Sequence, residues 1–157
     1  MVKVYLAGTI DGLTIKQATE WRVIFARRLK ERFADKVEVL DPTKAVQESG
    51  IPQDDILDLK NFSLEEADAV FQKDIAMLSE SNLMIVYIQG KSPNIGTIFE
   101  LGYAKAKNIP AIAYIDNPVK NHAFVKNAVR LCDRGHLDDL LDIAFYKIRK
   151  IIIEKSI

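Results

Sequence analysis

Glu100 and Asp74 are the side chains of this 157-residue chain best suited to reactive work. Glu100 sits in Ser92-Pro93-Asn94-Ile95-Gly96-Thr97-Ile98-Phe99-Glu100-Leu101-Gly102-Tyr103-Ala104, a stretch that opens a helix behind an apolar strand. Gly96 and Gly102 flank it and take side chains away from where a substrate would approach. Thr97 and Glu100 also have the T-x-x-E spacing of a capping box, in which the carboxylate would only close a helix start. Asp74 falls in helical spacing with Ala67, Val70, Phe71, Ile75 and Leu78, so it points with an apolar stripe and away from Glu65, Asp68 and Lys73. A carboxyl group in apolar surroundings keeps its proton to higher pH unless it is paired, which suits a general acid; the other reading is an aspartate satisfied by an amide or an arginine. Gly8, in Ala7-Gly8-Thr9-Ile10-Asp11-Gly12, lets the chain turn sharply and bring loop amides to a ligand, or serves a plain strand-to-helix turn. This loop fits neither the dinucleotide nor the P-loop fingerprint.

Two carboxyl groups beside a glycine loop, without metal-ligand spacing, a Ser-His-Asp arrangement or a reactive thiol setting, point to glycosyl chemistry. Cys132, the single cysteine, stands among Val129 and Leu131 in what reads as a helical stretch and suits a small core residue. His122 and His136 lie in loop-like stretches and read as surface residues, with His122 near enough to line a site.

The supporting elements follow from periodicity. Apolar runs at Val2–Ala7, Val37–Leu40, Leu83–Ile88 and Ala111–Ile115 alternate with helical spacing, a β-α-β rhythm repeated along the chain. Helices are expected at roughly Thr14–Phe33, Ser63–Glu80, with Ser63 and Glu66 as its capping box, and Leu137–Lys155. Strands apolar at nearly every position belong to a parallel sheet covered on both faces, so the expected fold is a single doubly wound α/β domain, flavodoxin-like or Rossmann-like, spanning residues 1–157. In strand order 2-1-3-4, ligands bind where strands 1 and 3 diverge, which brings Gly8–Leu13 and Gln89–Thr97 together. The aperiodic segment Asp41–Phe62 is long for a connection and reads as a lid or side wall, with a short helix around Asp54–Leu59. The run Ile151-Ile152-Ile153 would serve a subunit interface or the domain's own core.

Composition narrows the function. Apolar residues make up 48% and charged residues 28%, with 22 basic and 22 acidic side chains, so the chain buries a core and lacks the cationic excess of a nucleic-acid-polymer binder. Residues 1–80 carry 11 basic and 15 acidic side chains, residues 81–157 carry 11 and 7, and these opposite signs would help subunits pair. A short, alternating start, the lack of a ~20-residue apolar run and a single cysteine fit a soluble, cytoplasmic protein without a membrane partner.

Val4-Tyr5-Leu6-Ala7-Gly8-Thr9-Ile10, Asp74 ahead of Leu83–Ile88, and Gly96-Thr97-Ile98-Phe99-Glu100-Leu101-Gly102-Tyr103-Ala104 resemble the nucleoside 2-deoxyribosyltransferase family over about residues 2–140. That family includes 2'-deoxynucleoside 5'-monophosphate N-glycosidases. The resemblance implies that Glu100 is the nucleophile on C1' of the deoxyribose, Asp74 the acid for the departing base and Tyr5, at the end of the first strand, the residue orienting Glu100. It implies further that Gly8 lines the base pocket and that no cofactor is needed. Thr9, Ser92, Asn94 and Gly96 are the accompanying substrate-binding positions. Asn127 resembles an asparagine lent by a neighbouring subunit to the sugar's 5' hydroxyl, with Asn117 and Asn121 as rivals, which implies a homodimer or higher homo-oligomer.

Six positions before the nucleophile, transferases of the family often carry Asp and the monophosphate hydrolases Ser, whereas Asn94 stands here. Asp11 occupies the loop where those hydrolases place an Arg, and facing the site it would repel a 5'-phosphate; Ser92 and Lys91 favour one. The expected activity is base exchange between deoxynucleosides and free nucleobases. The alternatives are a deoxynucleoside 5'-monophosphate N-glycosidase and a non-catalytic nucleotide-binding module.

Overall fold

The computed structural model describes residues 1–132 and 136–157. Its centre is a sheet of five parallel strands, β1 (Val2–Gly8), β2 (Val37–Leu40), β3 (Leu83–Ile88), β4 (Ala111–Ile115) and β5 (Arg130–Leu131), in the order β2-β1-β3-β4-β5. The expected order holds, extended by β5, whose two residues are too few to register as a period.

Successive strand residues enter opposite cores, which is why the runs are apolar at every step. Val4, Leu6, Leu83 and Ile85 pack under α1 (Ile15–Phe33) and α6 (Leu137–Glu154), through Trp21, Phe25, Leu29, Leu140, Leu141, Ala144 and Ile148. Tyr5, Ala7, Met84 and Val86 face the other side, under α3 (Leu64–Ser79), α4 (Ile95–Ala106) and α5 (Ala123–Ala128), which supply Leu78, Leu101, Ala104 and Val125. Thr14 with Gln17 and Ser63 with Glu66 form reciprocal capping boxes that start α1 and α3. Ile151 and Ile152 pack against the first core, while Ile153 is exposed, so most of that run belongs to the domain itself. Among the described residues, no helix is long and apolar enough to cross a membrane.

Two local expectations are corrected. Cys132 is not helical: α5 ends at Ala128, and Cys132 follows β5, buried in the first core with its N–H on the Ala113 carbonyl at 2.7 Å. Residues 54–58 form no helix either. The segment after β2 instead holds α2 (Lys44–Glu48) and a 3₁₀ turn at Leu59–Asn61. Between them, the carbonyls of Asp55 and Gln53 accept the N–H groups of Ile15 and Lys16 at 2.9 and 3.0 Å, and Leu57 exchanges bonds with Gly12 and Leu13 at 2.9 Å each. The first N–H groups of a helix have no partner within it, so the segment takes its course by satisfying them. It is a fixed side wall.

Candidate active site

A cavity of about 560 Å³ opens beyond the carboxyl ends of β1 and β3, within the usual size of small-molecule sites. The loop Gly8–Asp11 forms one side and Ser92–Thr97 another; Leu59, Lys60 and Phe62 come from the side wall; Ala67, Val70, Phe71, Asp74 and Ile75 come from α3, and Phe99 and Glu100 from α4. The stripe on α3 therefore mostly faces this cavity, and only Leu78 of that helix is fully buried. Phe71 meets Phe99 edge-on, with ring centroids 5.5 Å apart, which joins α3 to α4 beside Glu100.

Helix α4 begins three residues earlier than the T-x-x-E spacing suggests. Asn94 precedes its first residue in a left-handed conformation, φ 51°, which asparagine tolerates better than most residues. Thr97 is thus inside the helix and Glu100 lies in its second turn, so the capping-box reading fails. The Glu100 carboxyl instead accepts the Tyr5 hydroxyl at 2.6 Å, a short bond that fixes its orientation. Tyr5 is fully buried in the middle of β1, not at its end as expected. Burial pushes Glu100 up to about 7; the Tyr5 bond opposes this, the field of Asp74 adds to it and Arg22 opposes it.

Asp74 is partly buried on the cavity side of α3. Burial raises it to about 6 against the pull of Lys73 and Arg22, while Asp41 pushes it further up. The two acids feel each other and titrate in one range, so their ionisations belong to the pair. Between about 6 and 7 the pair holds about one proton, more of it on Glu100 than on Asp74.

Gly8 lines the cavity for a steric reason. A Cβ there would meet the Tyr87 carbonyl oxygen at 2.3 Å and Trp21 Cζ2 at 3.1 Å, so only glycine lets β1 run this close to β3. Thr9 Oγ1 donates to Asn94 Oδ1 at 2.5 Å and Asn94 Nδ2 to the Ser92 carbonyl at 2.5 Å, so the loops after β1 and β3 are tied together. Asn117 Nδ2 braces the same loop through the Gly90 and Ser92 carbonyls at 2.9 and 3.0 Å. Ser92 and Gly96 line the cavity, and a Cβ at Gly96 would meet nothing within 4 Å. Gly102, exposed and off the cavity, does not play the part expected of it. Asn121 and Asn127 are exposed and outside the cavity, and His122 caps α5 away from it. Asp11 does line the cavity, with Oδ1 accepting the Leu59 N–H at 3.1 Å.

Sequence reading missed Arg22. It is fully buried, lines the cavity, and donates from Nη2 to the Gly8 carbonyl at 3.0 Å. The available signal was its position: it completes the α1 stripe Ala18, Trp21, Phe25, Leu29 at the spacing of an apolar residue.

The sequence profile described as nucleoside 2-deoxyribosyltransferase matches residues 4–134. No match emerges among curated protein sequences. Among solved structures, a 2-deoxyribosyltransferase from the psychrotolerant bacterium Bacillus psychrosaccharolyticus superposes with a TM-score of 0.62 at 16% identity, covering 94% of this chain and 96% of that one. A conserved protein from Enterococcus faecalis V583 superposes with a TM-score of 0.62 at 17% identity, covering 96% and 98%. At such identities these likenesses speak for the fold.

Proposed function

The chain belongs to the nucleoside 2-deoxyribosyltransferase family, and from that premise we propose that it exchanges nucleobases between 2'-deoxynucleosides through a deoxyribosyl ester on Glu100. One observation carries this reading: a tyrosine-oriented carboxyl and a second, desolvated carboxyl share one cavity at the switch point of the sheet. In the form of the pair that carries its proton on Asp74, Glu100 attacks C1' as the bond from C1' to the base nitrogen breaks, and the Asp74 proton goes to that nitrogen. An incoming base then attacks C1', the ester bond breaks and Glu100 leaves as carboxylate, while the proton of the incoming base passes to Asp74. Positive charge on the sugar peaks beside Glu100, where a fixed carboxylate stabilises it most. Two displacements at one carbon retain configuration.

The wall of Phe62, Val70, Phe71 and Phe99 offers apolar faces to a base and little to hold water, which favours a base as second acceptor over hydrolysis. Asp11 at the cavity favours an unphosphorylated 5' end, while Asn94 is neutral and could serve either substrate. The reading as a non-catalytic module loses its motive once Asn94, not Glu100, starts α4. Leu64, Ile95 and Phe124 are 88, 75 and 83% exposed, and a second copy of the chain covers them in this reading, bringing Asn127 to the sugar.

The test is deoxyinosine plus adenine, followed chromatographically. Formation of deoxyadenosine is expected; free hypoxanthine without deoxyadenosine would reassign the protein to the hydrolases, and turnover of deoxyinosine 5'-monophosphate alone would assign it to the monophosphate class.

A further inference from the structure

Among the described residues Arg22 is the only buried charged side chain, and its guanidinium joins three parts of the site. From α1, Nη2 donates to the Gly8 carbonyl at 3.0 Å and Nη1 donates to the Ala18 carbonyl, while Nε stands 3.7 Å from Asp41 Oδ1, just past β2. The guanidinium also lies over the Trp21 ring, 4.7 Å from its centroid. Asp41 is held in turn: Oδ1 accepts the Thr43 N–H and Oγ1 at 2.9 and 2.7 Å, and Oδ2 accepts Gln47 Nε2 at 2.8 Å. Among the described residues Nε has no hydrogen-bond partner, so it meets Asp41 as a charge and not through a bond. Desolvating a guanidinium is costly, and well-packed apolar residues often replace such a pair without loss, so stability does not account for it.

The charges around the cavity do. Arg22 offsets Asp41, Lys60 offsets Asp11, and Asp74 with Glu100, sharing one proton, leaves one net negative charge. That is opposite in sign to the charge that develops on a sugar losing its base.

We propose that Arg22 is a positioning residue: it clamps the glycine loop to the root of the side wall, and its charge keeps the Asp74 and Glu100 pair in its singly protonated form. The proposal rests on the roles given to those two acids under base exchange. The groups facing the pair are Tyr5 from β1, Asp11 after β1, Arg22 from α1, Asp41 after β2, Lys60 on the side wall and Lys73 on α3. Without Arg22, the negative charge at Asp41 meets Asp74 with only Lys73 against it, Glu100 loses the pull of a buried cation, and both carboxyls hold their protons to higher pH.

The experiment is the pH profile of kcat/KM for three variants, with ¹³C NMR titration of the Asp and Glu carboxyls in the same proteins. Arg22→Met should move the profile up by about one pH unit, seen as a loss of about tenfold near pH 5.5. Asp41→Asn should move it down, because the cation is then uncompensated. Arg22→Lys, which keeps the charge, should restore the position of the profile. Lower activity in the Met and Asn variants with an unmoved profile would reduce the pair to a structural strut and overturn the proposal. If Arg22→Met does not fold, Asp41→Asn decides: a downward shift supports the role and an unmoved profile removes it. If the parent protein exchanges no bases, the NMR titrations still answer. Opposite shifts of the Asp74 and Glu100 carboxyls in the Met and Asn variants would uphold Arg22 while refuting the reaction, and unmoved carboxyls would refute Arg22 whatever the activity.

Discussion

Replacing Glu100 by Gln should stabilise the protein, by an amount that grows as pH rises from about 4.5 to about 7 and then levels off. The folded carboxyl holds its proton up to about 7, against an ordinary value of 4.5, because burial disfavours the charge. The folded state therefore binds the proton more tightly than the unfolded chain. The stability this provides is fully present below about 4.5 and is lost as pH rises through about 7. Spread over that interval, the loss amounts to about 3 kcal/mol. Glutamine is neutral throughout, keeps an oxygen to accept the Tyr5 hydroxyl, and so escapes the loss while the local geometry stays. Thermal unfolding followed by circular dichroism at pH 5 and pH 9 checks this. The variant should match the parent at pH 5 and exceed it at pH 9 by about 6–12 °C, given about 2–4 °C per kcal/mol for a chain of this size. An equal gap at both pH values, or a parent more stable at pH 9, would refute the idea that Glu100 is a desolvated, strained carboxylate.

The kcat/KM profile of base exchange should be a bell with its maximum between about pH 6 and 7, falling about tenfold per pH unit outside it, because one acid must be ionised and the other protonated; a flat profile from pH 5 to 8 would contradict this. Asp74→Asn should lower kcat/KM for a purine deoxynucleoside by about 10²–10⁴ while sparing 4-nitrophenyl deoxyriboside, whose leaving group needs no proton; equal losses on both substrates would deny Asp74 the acid role. Tyr5→Phe, which removes the 2.6 Å bond favouring the ionised nucleophile, should move the acid limb of the profile upward and lower kcat about tenfold in steady-state assays. Gly8→Ala should cost about 2–3 kcal/mol in urea unfolding, since a Cβ would meet the Tyr87 oxygen at 2.3 Å.

What sequence made legible is what depends on neighbours in the chain. Strands β1 and β3 announce burial on both faces because no position breaks the apolar run, and α1 and α3 announce their starts because a capping box needs only a three-residue spacing. The same spacing misleads at Thr97 and Glu100, where the left-handed backbone of Asn94 had already begun the helix and Tyr5, 95 positions away, takes the carboxyl. The course of the side wall escaped prediction because the amides of Ile15 and Lys16, remote in sequence, dictate it. On α3, periodicity marks an apolar face correctly, yet it does not tell a core from an open cavity. Arg22 stayed hidden for a similar reason: a cation on an apolar stripe acquires meaning only with Asp41 and the Gly8 carbonyl beside it.

The most direct test of Glu100 as nucleophile is to catch the sugar on it. Incubation with a 2-fluoro-2-deoxyribosyl donor, whose ester turns over slowly, followed by intact-mass and peptide mass spectrometry, should add one fluorinated sugar per chain on the peptide containing Glu100 and none in Glu100→Gln. Unmodified protein, or a sugar on any other residue, would contradict the account.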